Sequence, residues 1–304
     1  MTKPLFACLA LLAAAAPAAA DTPPAAAPAS ASSAKTILFV GNSFTFGALS
    51  PVWKYRADTV SDLNHDGVGG VPALFKLFTQ EAGLDYRVSL ETSGGKTLGW
   101  HWDTKRSLLD RRWDAVVLQQ YSVLDPAHPG DPATTIADVA RLAQLFAARN
   151  PGVAISLTAT WSRPDQTYLK TGHWYGQPIA AMAADIQRGE EQAAKAAAPI
   201  AVAVNPVGAA FTCAIAQGVA DPNPYDGTSF GTVSLWAWDH YHASRFGYYL
   251  EALTVFAKVT GKDPRALGPQ ETAADELGIA PQVATRLQAI AWAAAQGQPC
   301  QPVA

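Results

Sequence analysis

Residues 36–45 read TILFVGNSFT. The first five run apolar or β-branched without a polar break, and a glycine, an asparagine and a serine follow. An uninterrupted apolar run of this length predicts a strand buried on both faces, as in a parallel sheet. The glycine predicts the turn that ends it. Working outward, the same pattern recurs. Residues 86–90 predict a second strand, and 115–118, almost wholly apolar, predict a stronger one. Residues 153–157 and 200–204 complete a set of five. Between them lie helical periods: 72–82, with Leu74, Phe75, Leu77 and Phe78 on one face, 134–148, through Ile136, Val139, Leu142 and Leu145 or Phe146, an alanine-rich helix within 176–197, and 244–259. Strands alternating with helices predict an α/β fold of layers around a mostly parallel sheet. Ligands of such sheets gather beyond the carboxyl ends of the strands, so the residues at those ends are the ones to inspect.

The flanks are simpler. Residues 1–20 carry Lys3, an apolar run over 5–16 and small residues at 18–20, the pattern of a secretory signal cleaved after Ala20. The run is short of a membrane span, and Cys8 lies inside it rather than at its end, so neither a permanent anchor nor lipid attachment is expected. Residues 21–34 form a Pro/Ala/Ser linker, the folded body spans 35–260, and 261–304 add a helix at 281–295 and a polar tail. The expected location is periplasmic or secreted. Signal removal leaves Cys213 and Cys300, and one disulfide between them would tie the tail to the body. A net charge of −3 provides no basic field for nucleic acid. No dinucleotide fingerprint, P-loop or CxxC pair occurs, so no cofactor is required by any motif.

Two remote segments carry the chemistry. Ser43 stands just past the first strand, where its hydroxyl can project over the sheet edge beside backbone N–H groups. Near the other end of the body the chain reads WDHYHAS, with Asp239 and His242 three apart. That spacing lets a carboxylate hold one imidazole nitrogen and leaves the other free to take a serine proton, the assistance a weakly acidic hydroxyl needs. His240 competes for the base but sits next to Asp239, where its side chain diverges.

Over roughly 35–260 the chain resembles the SGNH or GDSL-like hydrolase superfamily, and most closely the divergent branch whose first block reads GNSFT in place of GDSL. The resemblance implies a three-layer, flavodoxin-like fold, a nucleophile at Ser43 and a closing DxxH element at Asp239 and His242. No GxSxG surrounds Ser43, which sets the chain apart from the usual α/β-hydrolases. For the oxyanion glycine the resemblance points to residues 92–97, TSGGKT, and to Gly94, with Gly95 as competitor. The third block departs from the superfamily: where GxND is usual, residues 117–122 read VLQQYS. A glutamine amide offers the same N–H donor as asparagine, and Gln119 is favoured over Gln120.

Other features have two readings. His101, within GWHWD, either touches substrate or packs between tryptophans. Trp161, Trp174 and Tyr175 follow the fourth strand and either grip substrate or belong to the core. Residues 205–208, NPVG, follow the fifth strand and are expected to shape the pocket floor. Asp62, Asn64, Asp66 and Gly67 match the first half of a calcium loop, but position twelve is Ala73, so an EF-hand is excluded. A structural calcium finished by remote oxygens is one reading, and a polar turn is the other. The leading function is hydrolysis of a short-acyl, chiefly acetyl, ester on a small molecule or carbohydrate. A noncatalytic carbohydrate-binding protein on the same scaffold and an acyltransferase using the same serine are the alternatives.

Overall fold

The computed structural model describes residues 34–300, with residues 1, 2 and 4. The expected signal and linker at 1–34 fall otherwise outside the described residues, as do 301–304. In chain order the body consists of β1 (Lys35–Gly41), α1 (Ser43–Phe46), β2 (Ser61–Asp62), α2 (Gly70–Glu81), β3 (Tyr86–Thr92), α3 (Leu98–Leu109), β4 (Ala115–Leu118), α4 (Ala133–Arg149), β5 (Ala154–Thr158), α5 (Pro164–Thr167), α6 (Ala180–Ala196), β6 (Val202–Asn205), α7 (Val207–Ala216), α8 (Arg245–Thr260), α9 (Thr272–Glu276) and α10 (Pro281–Ala295).

The sheet has six parallel strands in the order β2-β3-β1-β4-β5-β6. After β1 the chain builds β3 on one side and then crosses to β4 on the other, so the carboxyl end of β1 is the topological switch point, where a crevice opens in such sheets. Ser43 lies two residues beyond that end.

Side chains alternate along β1 as the pleat requires. Ile37 and Phe39 join Val88, Leu90 and Val117 in a large core shared with α2, α7, α8 and α10. Leu38 and Val40 join Val116, Leu118, Ile155 and Leu157 in a second core under α3 and α4. Both faces are dry, which explains why β1 and β4 read as unbroken apolar runs. Every helix and strand expected from periodicity is present within a few residues. The structure adds two longer helices that periodicity misses. α3 buries only Leu98, Gly99, His101 and Leu109, and its start is fixed by Thr97, whose hydroxyl accepts the N–H of Trp100 (3.2 Å). α7, VGAAFTCAIA, lacks the polar face that would reveal a helical period. It begins inside the NPVG segment, at Val207.

α10 packs Leu287, Ile290 and Ala291 into the large core. A Cys213–Cys300 disulfide joins α7 to the chain beyond α10. No described helix is long and apolar enough to cross a membrane.

Two observations are testable. Replacing both cysteines by serine should lower stability by about 2–4 kcal/mol, because the open chain regains loop entropy; denaturant unfolding of the variant checks this. Glu190 on α6 is fully buried, Oε2 has no partner among the described residues, and burial pushes its carboxyl up to about 8. The unfolded chain releases that proton near the ordinary carboxylate range while the folded chain keeps it, so stability falls as pH rises between that range and about 8. Thermal unfolding of Glu190→Gln from pH 5 to 8 should show a shallower decline than the parent; an identical decline would contradict this account.

Candidate functional site

The first element of the site is a turn held by its own polar groups. β1 enters through Gly41, where a Cβ would clash with Thr45 Oγ1 and lie 2.8 Å from Gln119 Oε1. Only glycine permits that approach. Asn42 caps α1: its Oδ1 accepts the N–H of Phe44 (3.2 Å), and its Nδ2 donates to the carbonyl of Lys96 (3.0 Å). The second bond ties the Ser43 turn to the Gly94–Gly95 loop. Ser43 opens the helix and is 9% exposed. As a first-turn residue its N–H has no intrahelical acceptor.

The second element is the Asp239–His242 dyad. Asp239 Oδ1 accepts the backbone N–H groups of Tyr241 (3.1 Å) and His242 (3.0 Å), and His242 Nδ1 donates to Oδ2 (2.6 Å). The carboxylate therefore fixes both backbone and ring. Burial pushes the Asp239 carboxyl up, but the imidazole and the two N–H groups outweigh it and hold it below the usual range. It stays ionised through neutral pH, and the stability it contributes is lost only as pH falls through that lowered value. His242 Nε2 is buried and has no partner among the described residues. It is the atom that can receive a proton. His240, the competitor, has a left-handed backbone (φ 55°) and turns its ring to Tyr225.

These two elements meet. The Phe44 ring lies 5.6 Å from the His242 ring and 5.5 Å, edge-on, from Tyr241. Phe44 stacks on Trp161 (4.3 Å), which stacks on Phe211 (4.9 Å). Trp161 Nε1 donates to the carbonyl of Tyr241 (3.2 Å). From α8, the Tyr248 hydroxyl reaches the carbonyls of Ser43 (3.2 Å) and Ala48 (3.3 Å). Ser43 and His242 are thus brought to one end of the sheet. Trp161 and Trp174 are core residues, whereas Tyr175 is half-exposed.

Oxyanion donors divide differently from the sequence expectation. Gly94 is exposed on the loop held by Asn42, and its N–H makes no backbone hydrogen bond among the described residues. Gln119, favoured as a side-chain donor, is buried, with its amide oxygen and one of its two N–H groups engaged within the protein. Its Oε1 accepts from Asn42 N–H (2.9 Å) and Thr45 Oγ1 (3.0 Å), and its Nε2 donates to the Gln120 carbonyl. The bond from a backbone N–H fixes which end of the amide is oxygen. Gln119 therefore braces the turn that carries Ser43. Gln120 is also committed: it accepts from Leu98 N–H (3.0 Å) and Tyr121 N–H (2.8 Å).

The calcium-loop residues also have other partners. Both Asp62 oxygens accept backbone N–H groups, from Asn64 (3.0 Å) and Val68 (3.1 Å). Asn64 Oδ1 accepts from Lys105 Nζ (2.9 Å), which places a cation where a calcium ligand would need an empty lone pair. Asp66 is exposed. This donor set does not fit a calcium cage. Asn64 Nδ2 instead donates to Glu91 Oε1 (3.0 Å), and Glu91 holds His101 Nδ1 in a fully buried pair. His101 is a packing residue behind the glycine loop. The structural parts that sequence reasoning missed are Asn42, Phe44, Glu91 and Tyr248. For Asn42 and Glu91 a signal existed: each is a polar residue at the end of a buried strand.

No protein-family model matches the chain, and no curated protein is significantly similar to it. Solved structures do share its fold. A DUF4886 family protein from Bacteroides uniformis superposes with a TM-score of 0.59 at 17% identity, covering 89% of this chain and 97% of that one. A candidate GDSL-like lipase from Parabacteroides merdae superposes with a TM-score of 0.52 at 16% identity, covering 75% and 95%. The shared fold thus covers nearly the whole of each of those two structures and three quarters or more of this chain.

Gln119→Ala should leave the Asn42 N–H buried without an acceptor and lower stability by about 1–3 kcal/mol. Chemical unfolding measures this, and an unchanged midpoint would mean that the brace contributes nothing.

Proposed function

We propose that the chain is an exported serine esterase of the SGNH type, acting on acetyl or other short-acyl esters of carbohydrates. The observation that carries this reading is the Asp239–His242 dyad, its Nε2 unpartnered, packed against the turn that bears Ser43 at the topological switch point. Ser43 Oγ attacks the ester carbonyl carbon as its proton passes to His242 Nε2. The negative charge that develops on the carbonyl oxygen is met by the N–H groups of Ser43 and Gly94, with no side-chain amide required from Gln119. Collapse of the tetrahedral intermediate breaks the bond to the alcohol, which leaves with the proton from His242. Water then repeats the sequence on the acyl-serine and releases the acid. Asp239 keeps the imidazole in the tautomer that accepts at Nε2 and stabilises the imidazolium. The signal-like segment and the Cys213–Cys300 bond support an oxidising compartment outside the cytoplasm.

A short-chain aryl acetate assay tests the reading. Ser43→Ala should lower kcat by about a thousandfold or more, and Asp239→Asn by a comparable factor with KM little changed. Equal turnover by Ser43→Ala and the parent would remove the serine from the mechanism.

A further inference from the structure

The segment over 221–243 carries the dyad at one end and the exposed rings of Tyr225, Phe230 and Trp238 along its length. Asp221 anchors it: one carboxylate oxygen accepts the N–H of Asn223 (2.9 Å), the other that of Ser229 (2.7 Å). Tyr168, which ends α5, donates its hydroxyl to the carbonyl of Pro222 (2.9 Å). The Tyr168 ring meets Tyr225 edge-on at 6.3 Å, and Tyr225 stands perpendicular to His240 at 4.3 Å. The next residue back is Asp239. The three rings therefore form a continuous row that ends one residue from the dyad. On the other side of Asp239 in the chain, Trp238 is 78% exposed, and Tyr225 is 41% exposed.

Exposed rings gathered on one chain segment mark a binding surface, and charge narrows its partner. No Lys or Arg occurs over 196–244, while Asp221, Asp226 and Asp239 lie on this segment, and Arg163, packed 3.5 Å over the Tyr241 ring, is neutralised by its ion pair with Asp165 (2.6 Å). Such a surface repels phosphodiesters and anionic headgroups. Beside the row, Asn223 Nδ2 donates to Asp226 Oδ2 (2.7 Å), an amide and a carboxylate near the surface with further capacity for hydrogen bonds. Flat apolar faces next to acceptors and donors fit the C–H face and hydroxyls of a sugar ring.

The geometry points to a glycan-binding strip: Tyr168, Tyr225, His240 and Trp238 seat an uncharged sugar chain and deliver its ester to Ser43. The purpose of the strip rests on the esterase reading, but its binding is measurable without turnover. The experiment uses the Ser43→Ala protein in affinity electrophoresis against xylan, glucomannan and amylose, with sedimentation against vesicles of phosphatidylglycerol as the rival arm. At least one polysaccharide should retard it. Tyr225→Ala and Trp238→Ala, each added to that background, should weaken retardation by about tenfold with unchanged melting temperature, while Tyr225→Phe should restore it. No retardation by any polysaccharide, retardation indifferent to both ring deletions, or association with the vesicles instead would overturn the inference. Failure of the esterase reading has a separate signature, full aryl acetate turnover by Ser43→Ala.

Discussion

The stack of Phe44, Trp161 and Phe211 joins three segments well separated in the chain, and the candidate site depends on it. Phe44 belongs to the turn after β1, Trp161 to the chain after β5, and Phe211 to α7. Their rings are nearly parallel, with interplanar angles of 16° and 7°. Buried aromatic area of this kind, together with stacking, is the largest apolar contribution a small group of residues can make. The stack is also directional. The indole N–H of Trp161 holds the Tyr241 carbonyl, so the same ring that packs the Ser43 turn positions the backbone beside His242.

A second constraint acts through hydrogen bonds that leave few alternatives. The Tyr248 hydroxyl, Asn42 and Gln119 tie the turn to three other parts of the chain, and the Asn42 N–H held by Gln119 would otherwise be buried without a partner. Removing Gln119 leaves that buried N–H unsatisfied, which costs more than the bond itself contributes. The turn is therefore rigid before any substrate arrives. Charge development in a tetrahedral intermediate is best stabilised by dipoles that need no reorganisation. The left-handed backbone of His240 fits the same picture, since a strained residue beside the dyad persists only where its surroundings hold it.

Much of the fold and part of the site were legible in the amino-acid sequence. Continuous apolar runs announced β1, β4 and β5 because parallel strands are covered on both faces. The three-residue spacing of Asp239 and His242 announced their pairing, because a carboxylate that caps its own turn reaches that far along the chain. α7 was hidden by being apolar on every side, and α3 by having too little apolar surface to show a period. Residues 62–67 read equally well as half a calcium loop or a polar turn, because the same oxygens can serve a metal or nearby N–H groups. The distinction lay with Lys105, forty-one residues from Asn64.

By itself, then, the sequence determined the layered parallel architecture, the serine at the end of the first strand and the local acid–imidazole pair, since each depends on residues close together in the chain. The tertiary structure decided everything that depends on which distant groups compete for one atom. It committed the amide of Gln119 to the Asn42 N–H and paired Cys213 with Cys300. It also placed Trp161 in the core and brought the rings of Tyr168, Tyr225 and His240 into one row. Hydrogen-bonding capacity is a property of residue type, but its use is settled only when folding brings the partners within about 3 Å.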